Sequence, residues 1–392
     1  MSAAICAIVP TRNRAKLARN AVRSLLDQDV PVEICLSDNS ASPDRLRRFC
    51  AGRSGLHYLR PPAELSMPEH WDWAIRQAME QSAATHFTVH YDRKFTKPDE
   101  IGRLAAFASS WPDRLISFPV DHIGDQPPPL RLWQPPWTGR LFSIGTARVA
   151  GLLAAGQVTD IAHALPILSN CLVPRSILQR IVDRFGDVCS STGPDSAFMA
   201  RFLALDDLYL HYDRPIGILY GSRRSNGLGY LRGKGGDFAD YVKMFGGRPW
   251  LDAAPLPGVN LGQNMLYHEY ELVRRLTGDR LPPLDPGSVL DDLGAQLRWV
   301  EDEKRKRNLR AVLREAGWTG GDPPPLHRRS WREVRDQMIC RYHMKRHGFV
   351  PPTITGFAFL SDRRALKYAL AFPRQRQEGW EHLALLRPEA AG

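Results

Sequence analysis

The sequence predicts an α/β protein: a wound, mostly parallel sheet flanked by helices, followed by a mainly helical, basic C-terminal region. Three observations carry this. Short apolar runs, each stopped by turn-forming residues, alternate with stretches of helical period through the first third of the chain. The first run is continuously apolar rather than alternating, as expected of a strand covered on both faces. With 392 residues and 43% hydrophobic content, the chain also has ample material for a buried core.

Ile5-Cys6-Ala7-Ile8-Val9 is the first such run, ended by Pro10. In the next stretch Leu17, Ala21 and Leu25 form one i, i+4 row and Ala18, Val22 and Leu26 the next, while Lys16, Arg19, Arg23 and Asp27 point elsewhere; this is a helix with one apolar face. Val32 to Leu36 reads as a second strand, stopped at the turn formers Ser37-Asp38-Asn39-Ser40. Together these make a βαβ unit. Ligands of such sheets bind beyond the carboxyl ends of the strands, where the loops Pro10-Thr11-Arg12-Asn13 and Ser37–Ser40 lie.

The alternation continues with a helix near 43–50, a strand at 56–59, a helix over 68–81, a strand at 86–90, a helix over 100–109 and a strand at 115–118. From 121 to 156 the pattern loosens around Pro127-Pro128-Pro129 and Pro135-Pro136, and irregular surface structure is expected. Regularity returns with a helix over 176–185 and another from Asp195 to about Leu205. For the second, Pro194 suits the first position and Thr192 or Gly193 the cap. A strand at 208–212 precedes a glycine-rich basic stretch, 221–236, which suits a lid over phosphates or a plain connection. The expected organisation is 1–220 as the α/β unit, 221–290 as glycine-rich loop and connecting segment, and 291–392 as the basic, mainly helical region.

No run of about 18 apolar residues is present for a membrane span, and the six cysteines are scattered with no C-x-x-C pair. These features give the expectation of a reduced, cytoplasmic protein without structural zinc. The net charge of +11 is uneven: residues 291–392 hold 20 Lys+Arg against 13 Asp+Glu. Such an excess suits an anionic partner, whether phosphate groups, nucleic acid or a membrane surface to which the protein is peripheral; a solvated surface is the plain alternative.

Ala7-Ile8-Val9-Pro10-Thr11-Arg12-Asn13-Arg14 and Ser37-Asp38-Asn39-Ser40-Ala41-Ser42 together resemble the opening of family-two glycosyltransferases of the GT-A fold. Leu65-Ser66-Met67-Pro68-Glu69-His70-Trp71 and Leu168-Ser169-Asn170-Cys171-Leu172-Val173-Pro174-Arg175 are similar to later stretches of that family, so the resemblance runs from about Ile5 to Arg214. It implies a nucleotide diphosphate sugar bound across the sheet edge, with Pro10, Thr11, Arg12 and Asn13 near the nucleoside and Asp38, with Asn39, at the base. Residue chemistry agrees, since a carboxylate accepts from an imide or ribose hydroxyl and arginines face phosphate. Asp38-Asn39 also suits a simple turn.

The family's Asp-x-Asp metal cluster is degenerate here. Tyr91-Asp92-Arg93-Lys94 offers one carboxylate and two cations, and a lone Asp92 is a poor ligand set for a divalent ion such as Mn or Mg. Either His90 and Asp92 hold a transition metal, or Arg93 or Lys94, with Arg224 of the basic stretch, neutralises the diphosphate directly; loss of activity is a third reading. Gly193-Pro194-Asp195-Ser196 resembles the motif supplying the base of inverting members, so Asp195 is the expected base, against a bland reading as a helix-capping acid. Trp133 and Trp137 offer faces for an acceptor sugar, or merely pack a loop. The resemblance implies an inverting glycosyltransferase acting on a glycan, peptide or small-molecule acceptor; the alternative is a decayed protein of the same fold that binds a nucleotide sugar or nucleic acid without turnover.

Overall fold

Every residue of strand β1 (Ile5–Thr11) is buried, as an unbroken apolar run requires. The computed structural model describes residues 4–124, 130–133, 135, 137–220, 225, 251–300, 302–321, 323, 357–359, 386 and 389–390. After β1 come α1 (Ala15–Leu26), β2 (Glu33–Asp38), α2 (Asp44–Cys50), β3 (Leu56–Leu59), α3 (Met67–Gln81), β4 (His86–Val89), β5 (Lys94–Thr96), α4 (Glu100–Ser110) and β6 (Ile116–Ser117). Next are β7 (Asp121–Gly124), β8 (Leu130–Trp133), β9 (Leu141–Gly145), α5 (Thr146–Ala154), α6 (Val158–Ile161), β10 (Cys171–Pro174), α7 (Arg175–Phe185), α8 (Pro194–Leu205), β11 (Leu208–Tyr212) and β12 (Gly217–Leu219). The remainder described is α9 (Gly262–Thr277), α10 (Pro286–Ala295), α11 (Glu303–Glu315), β13 (Phe357–Phe359) and β14 (Glu389–Ala390).

Nine strands form the main sheet in the order β14-β9-β11-β6-β10-β4-β1-β2-β3. β1 pairs in parallel with β2 and β4, and β2 with β3. Only β9 and β10 run against the rest, so the sheet is the wound, mostly parallel one that the sequence predicts. Alternate side chains of β1 serve its two faces. Ile5, Ala7 and Val9 pack with Ala18, Val22 and Leu25 of α1, while Cys6 and Ile8 join Trp71 and Ile75 of α3. The five described cysteines are free and buried.

The described residues of the stretch 121–156, expected to be irregular, are mostly in regular elements. It holds β7 and β8 of a second sheet, ordered β13-β8-β7-β12-β5, then β9 of the main sheet and α5. The prolines between 127 and 136 hide short strands from a pattern reading. Helix α5 buries Val149, Ala150, Leu152 and Leu153, which leaves no polar stripe for a 3.6-residue period to reveal. The turn before β9 is pinned by buried Asp213, which accepts from the backbone N–H groups of Thr138, Gly139 and Arg140 at 2.7–3.1 Å.

Helices α9 to α11 share their core with the sheet. Leu256, Tyr267, Tyr270, Leu293, Leu313 and Trp318 belong to the same apolar cluster as Cys6 and Ile8. Asp285 N–H donates to the Ala154 carbonyl at 2.8 Å. Beside it Gly156 has φ +70, and a Cβ there would run into the Ser288 carbonyl. The short strands β13 and β14, in the region expected to be mainly helical, pair with β8 and β9. Among the described residues, no helix is long and apolar enough to cross a membrane.

Candidate functional site

The carboxyl ends of β1, β2 and β4 bring the first loop, the Ser37–Ser40 turn and Tyr91–Lys94 to one edge of the sheet. Asn13 sits at φ 57, a left-handed conformation that asparagine tolerates better than most residues. Its N–H donates to Ser40 Oγ at 2.7 Å, and its Oδ1 accepts from Ala41 N–H at 3.2 Å. The two loops are thereby tied together. Asp38 is fully buried, with Oδ1 accepting from Ser40 N–H and Oδ2 from the Tyr58 hydroxyl, both at 3.0 Å. Asn39 clamps the backbone of Leu65, donating to its carbonyl at 2.8 Å and accepting from its N–H at 3.3 Å. Arg12 pairs with Glu64, and Pro10 is buried in β1.

Tyr91 to Lys94 forms a turn closed by Lys94 N–H on the Tyr91 carbonyl at 3.0 Å. Its four side chains go to four places. Tyr91 donates to Asp195 Oδ2 at 2.5 Å. Asp92 turns to the first loop, accepting from Thr11 Oγ1 at 2.8 Å with Arg14 3.7 Å away; burial raises its pKa, and Arg14 and Thr11 oppose that rise. Arg93 lies over the Tyr91 ring and donates to Ser225 Oγ at 3.1 Å. Lys94 points inward, 1% exposed, and donates to the Ser169 carbonyl at 2.6 Å with the Phe118 ring beside it. Burial lowers its pKa to about 7. Among the described residues the Lys94 ammonium, expected at the diphosphate, is thus placed against the Ser169 carbonyl in the interior.

His90, offered as a metal partner of Asp92, has its ring held within the protein. Both His90 ring nitrogens are engaged, Nδ1 with the Tyr91 carbonyl at 3.0 Å and Nε2 with Thr96 Oγ1 at 2.8 Å. Burial pushes its pKa well down, so it rests as a neutral ring using one donor and one acceptor. Among the described residues no three His, Cys, Asp or Glu side chains gather as metal ligands. A single carboxylate already held by Thr11 and facing a guanidinium does not fit a divalent ion, which needs several oxygen ligands.

Asp195 stands in the first turn of α8 but does not cap it. Its Oδ1 accepts from Ser169 N–H at 2.9 Å and its Oδ2 from Tyr91, both across the site. Gly193 occupies the N-cap without a side-chain bond. The donors before α8 go to Glu269 of α9, whose Oε1 accepts from Thr192 N–H at 2.8 Å and Gly193 N–H at 2.7 Å. Sequence reasoning missed Tyr91, Ser169 and Glu269. For Glu269 a weak signal existed: it is a carboxylate between Tyr267 and Tyr270, on a helix whose buried face also holds Asn264 and His268.

Trp137, offered as an acceptor face or as packing for its loop, lies on the buried side of that choice. It is 7% exposed, and the Arg214 guanidinium covers its ring at 4.6 Å. Trp133 lies on β8, and its side chain is outside the described residues, as are Arg224 and the 221–236 stretch apart from Ser225.

No family model matches the chain, and no curated protein does. Among solved structures it is similar to TarS of S. aureus over 80% of its length, at 11% identity and a TM-score of 0.43, covering 53% of that chain. It thus spans about half of that protein. Against TarS 1–349 in complex with UDP-GlcNAc the values are 11% identity and a TM-score of 0.45, over 80% of this chain and 88% of that one. Against the complex with UDP they are 12% and 0.43, over 80% and 86%.

Proposed function

We propose that the chain is a glycosyltransferase that moves a sugar from a nucleotide diphosphate donor to an acceptor nucleophile with inversion. The observation that carries the reading is the Tyr91–Lys94 turn: Asp92 reaches Thr11 of the first loop, and Tyr91, next to it, reaches Asp195. One turn thus links the loops expected to hold the nucleotide to the expected base. The acceptor oxygen attacks the anomeric carbon, the bond to the diphosphate breaks on the opposite face, and the acceptor proton passes to Asp195. Asp195 suits that work because its oxygens, though each accepts one bond from Ser169 N–H or Tyr91, keep further lone pairs and are not spent on its own helix amides. Thr11, Asn13 and Asp38 are the proposed nucleoside residues. Arg14 and Arg93 flank Asp92 and supply the fixed positive charge for the leaving diphosphate.

The test is a panel of nucleotide sugars assayed for transfer and hydrolysis, with and without manganese. Turnover that falls by about 100-fold or more in Asp195→Asn, with nucleotide binding retained, supports the reading; an Asp195→Asn protein of full activity removes the base. A second reading, binding without turnover, is favoured by the single, already engaged carboxylate at Asp92. It is the outcome if a nucleotide raises the melting temperature while no donor is consumed. We further propose an anionic partner for the basic helix α11, where Lys304, Arg307 and Arg314 are exposed. Affinity for such a partner falls steeply with salt.

A further inference from the structure

We propose that Glu269, contributed by α9 from beyond the α/β unit, is a positioning residue of this site: it fixes the corner Thr192-Gly193-Pro194 and so sets where Asp195 points. The proposal rests on the transferase reading. A helix N-terminus leaves backbone donors without intrahelical partners. At α8 the N-cap Gly193 has no side chain to accept from them, and Asp195 is turned toward Tyr91 and Ser169. Glu269 takes the N–H of the N-cap Gly193 and that of Thr192 just before it on one oxygen, at 2.7 and 2.8 Å. Asp195, an acid in the first turn, is bonded across the site to Ser169 and Tyr91 and not to this corner.

Three further features agree. Glu269 is 1% exposed, and a buried carboxylate is costly unless hydrogen-bonded. Burial raises its pKa to about 6 in spite of the Gly193 and Thr192 N–H bonds, the Ser191 hydroxyl and the Arg201 guanidinium that face it. This is a group that apolar packing alone would not select. The approach of α9 is also close enough that a Cβ on Gly193 would lie 3.0 Å from Met265 Sδ, so glycine at the corner and the helix behind it fit as a pair.

The test compares Glu269→Ala and Glu269→Gln with the wild type, using the active donor for kinetics and its nucleoside diphosphate as binding probe. Loss of the anchor in Glu269→Ala lowers kcat by about 100-fold, the scale of a reacting group displaced by about 1 Å. Donor KM and nucleotide affinity stay within about 2-fold, because the nucleoside loops do not touch this corner. Glu269→Gln keeps an oxygen for both N–H groups and retains kcat within about 5-fold. Full kcat in Glu269→Ala overturns the proposal, as does an equal fall in kcat and nucleotide affinity, which would mark a merely structural role. If Glu269→Ala does not fold, Glu269→Asp withdraws the oxygen by one methylene; a kcat loss beyond about 10-fold supports positioning and none overturns it. A wild-type protein inactive on the whole donor panel overturns the transferase reading, and this role with it.

Discussion

The Tyr91 hydroxyl and the Asp195 carboxylate meet at 2.5 Å, joining the turn after β4 to the first turn of α8. Burial pushes the Tyr91 pKa well up, so the hydroxyl remains a donor at any working pH. Tyr91→Phe removes one hydrogen bond to a charged group, worth about 1.5–3 kcal/mol. The expected result is a kcat lower by roughly 10- to 100-fold, with nucleotide affinity unchanged by calorimetry. An equal loss in both would show that the bond serves folding only.

Lys94 carries a pH signature in stability. Burial lowers its pKa from 10.5 to about 7, so between those values the unfolded chain binds a proton that the folded protein does not. Stability from this group rises with pH across that window and is lost as pH falls through about 7. Urea midpoints of wild type and Lys94→Met, compared at pH 6 and pH 9, are expected to shift in favour of the wild type at the higher pH. A constant gap would remove the buried ammonium from the account.

Glu269 titrates with the opposite sense. Its pKa is raised from 4.5 to about 6, so the stability it contributes is present below about 4.5 and lost as pH rises through about 6, by about 2 kcal/mol. Glu269→Gln lacks this term. Its melting temperature relative to the wild type is expected to rise between pH 4.5 and pH 7, and thermal scans at the two pH values measure it.

Gly156 tests the docking of the C-terminal helices. Gly156→Ala places a side chain at positive φ and against the Ser288 carbonyl, and a cost of about 2–4 kcal/mol follows from strain plus overpacking. A denaturant midpoint equal to that of the wild type would mean that α10 gives way freely.

Much of this arrangement is legible in the sequence. The run at 5–9 and the two i, i+4 rows after it give β1 and α1, because period and apolarity are local properties. The loops at Thr11 and Asp38 follow from where those elements stop. The partners that make the corner work are not local. Ser169 contributes a backbone N–H, which no side-chain pattern encodes. Tyr91 reads as one more aromatic beside a polar turn, and Glu269 becomes meaningful only when α9 is seen against α8. Strand β9 and helix α5 escaped because prolines precede them and the exposed positions of α5, Ala147, Arg148 and Gly151, carry too little polarity to mark a face. Trp137 and Lys94 show the limit of residue type: it suggests a ligand contact, and it does not reveal that both side chains are buried.

Glu269 also bears on the order of events during synthesis. Ribosomes add about 5–20 residues per second, so the strands of the main sheet up to β11 and the Asp195 segment emerge several seconds before α9 does. During that interval Glu269 is not there to accept from the amides of Thr192 and Gly193, and the Asp195 turn rests on its bonds to Tyr91 and Ser169. A nascent chain at that stage can hold the loops expected to take a nucleotide before it can direct its base, so ligand protection of the nascent chain should appear earlier in translation than turnover.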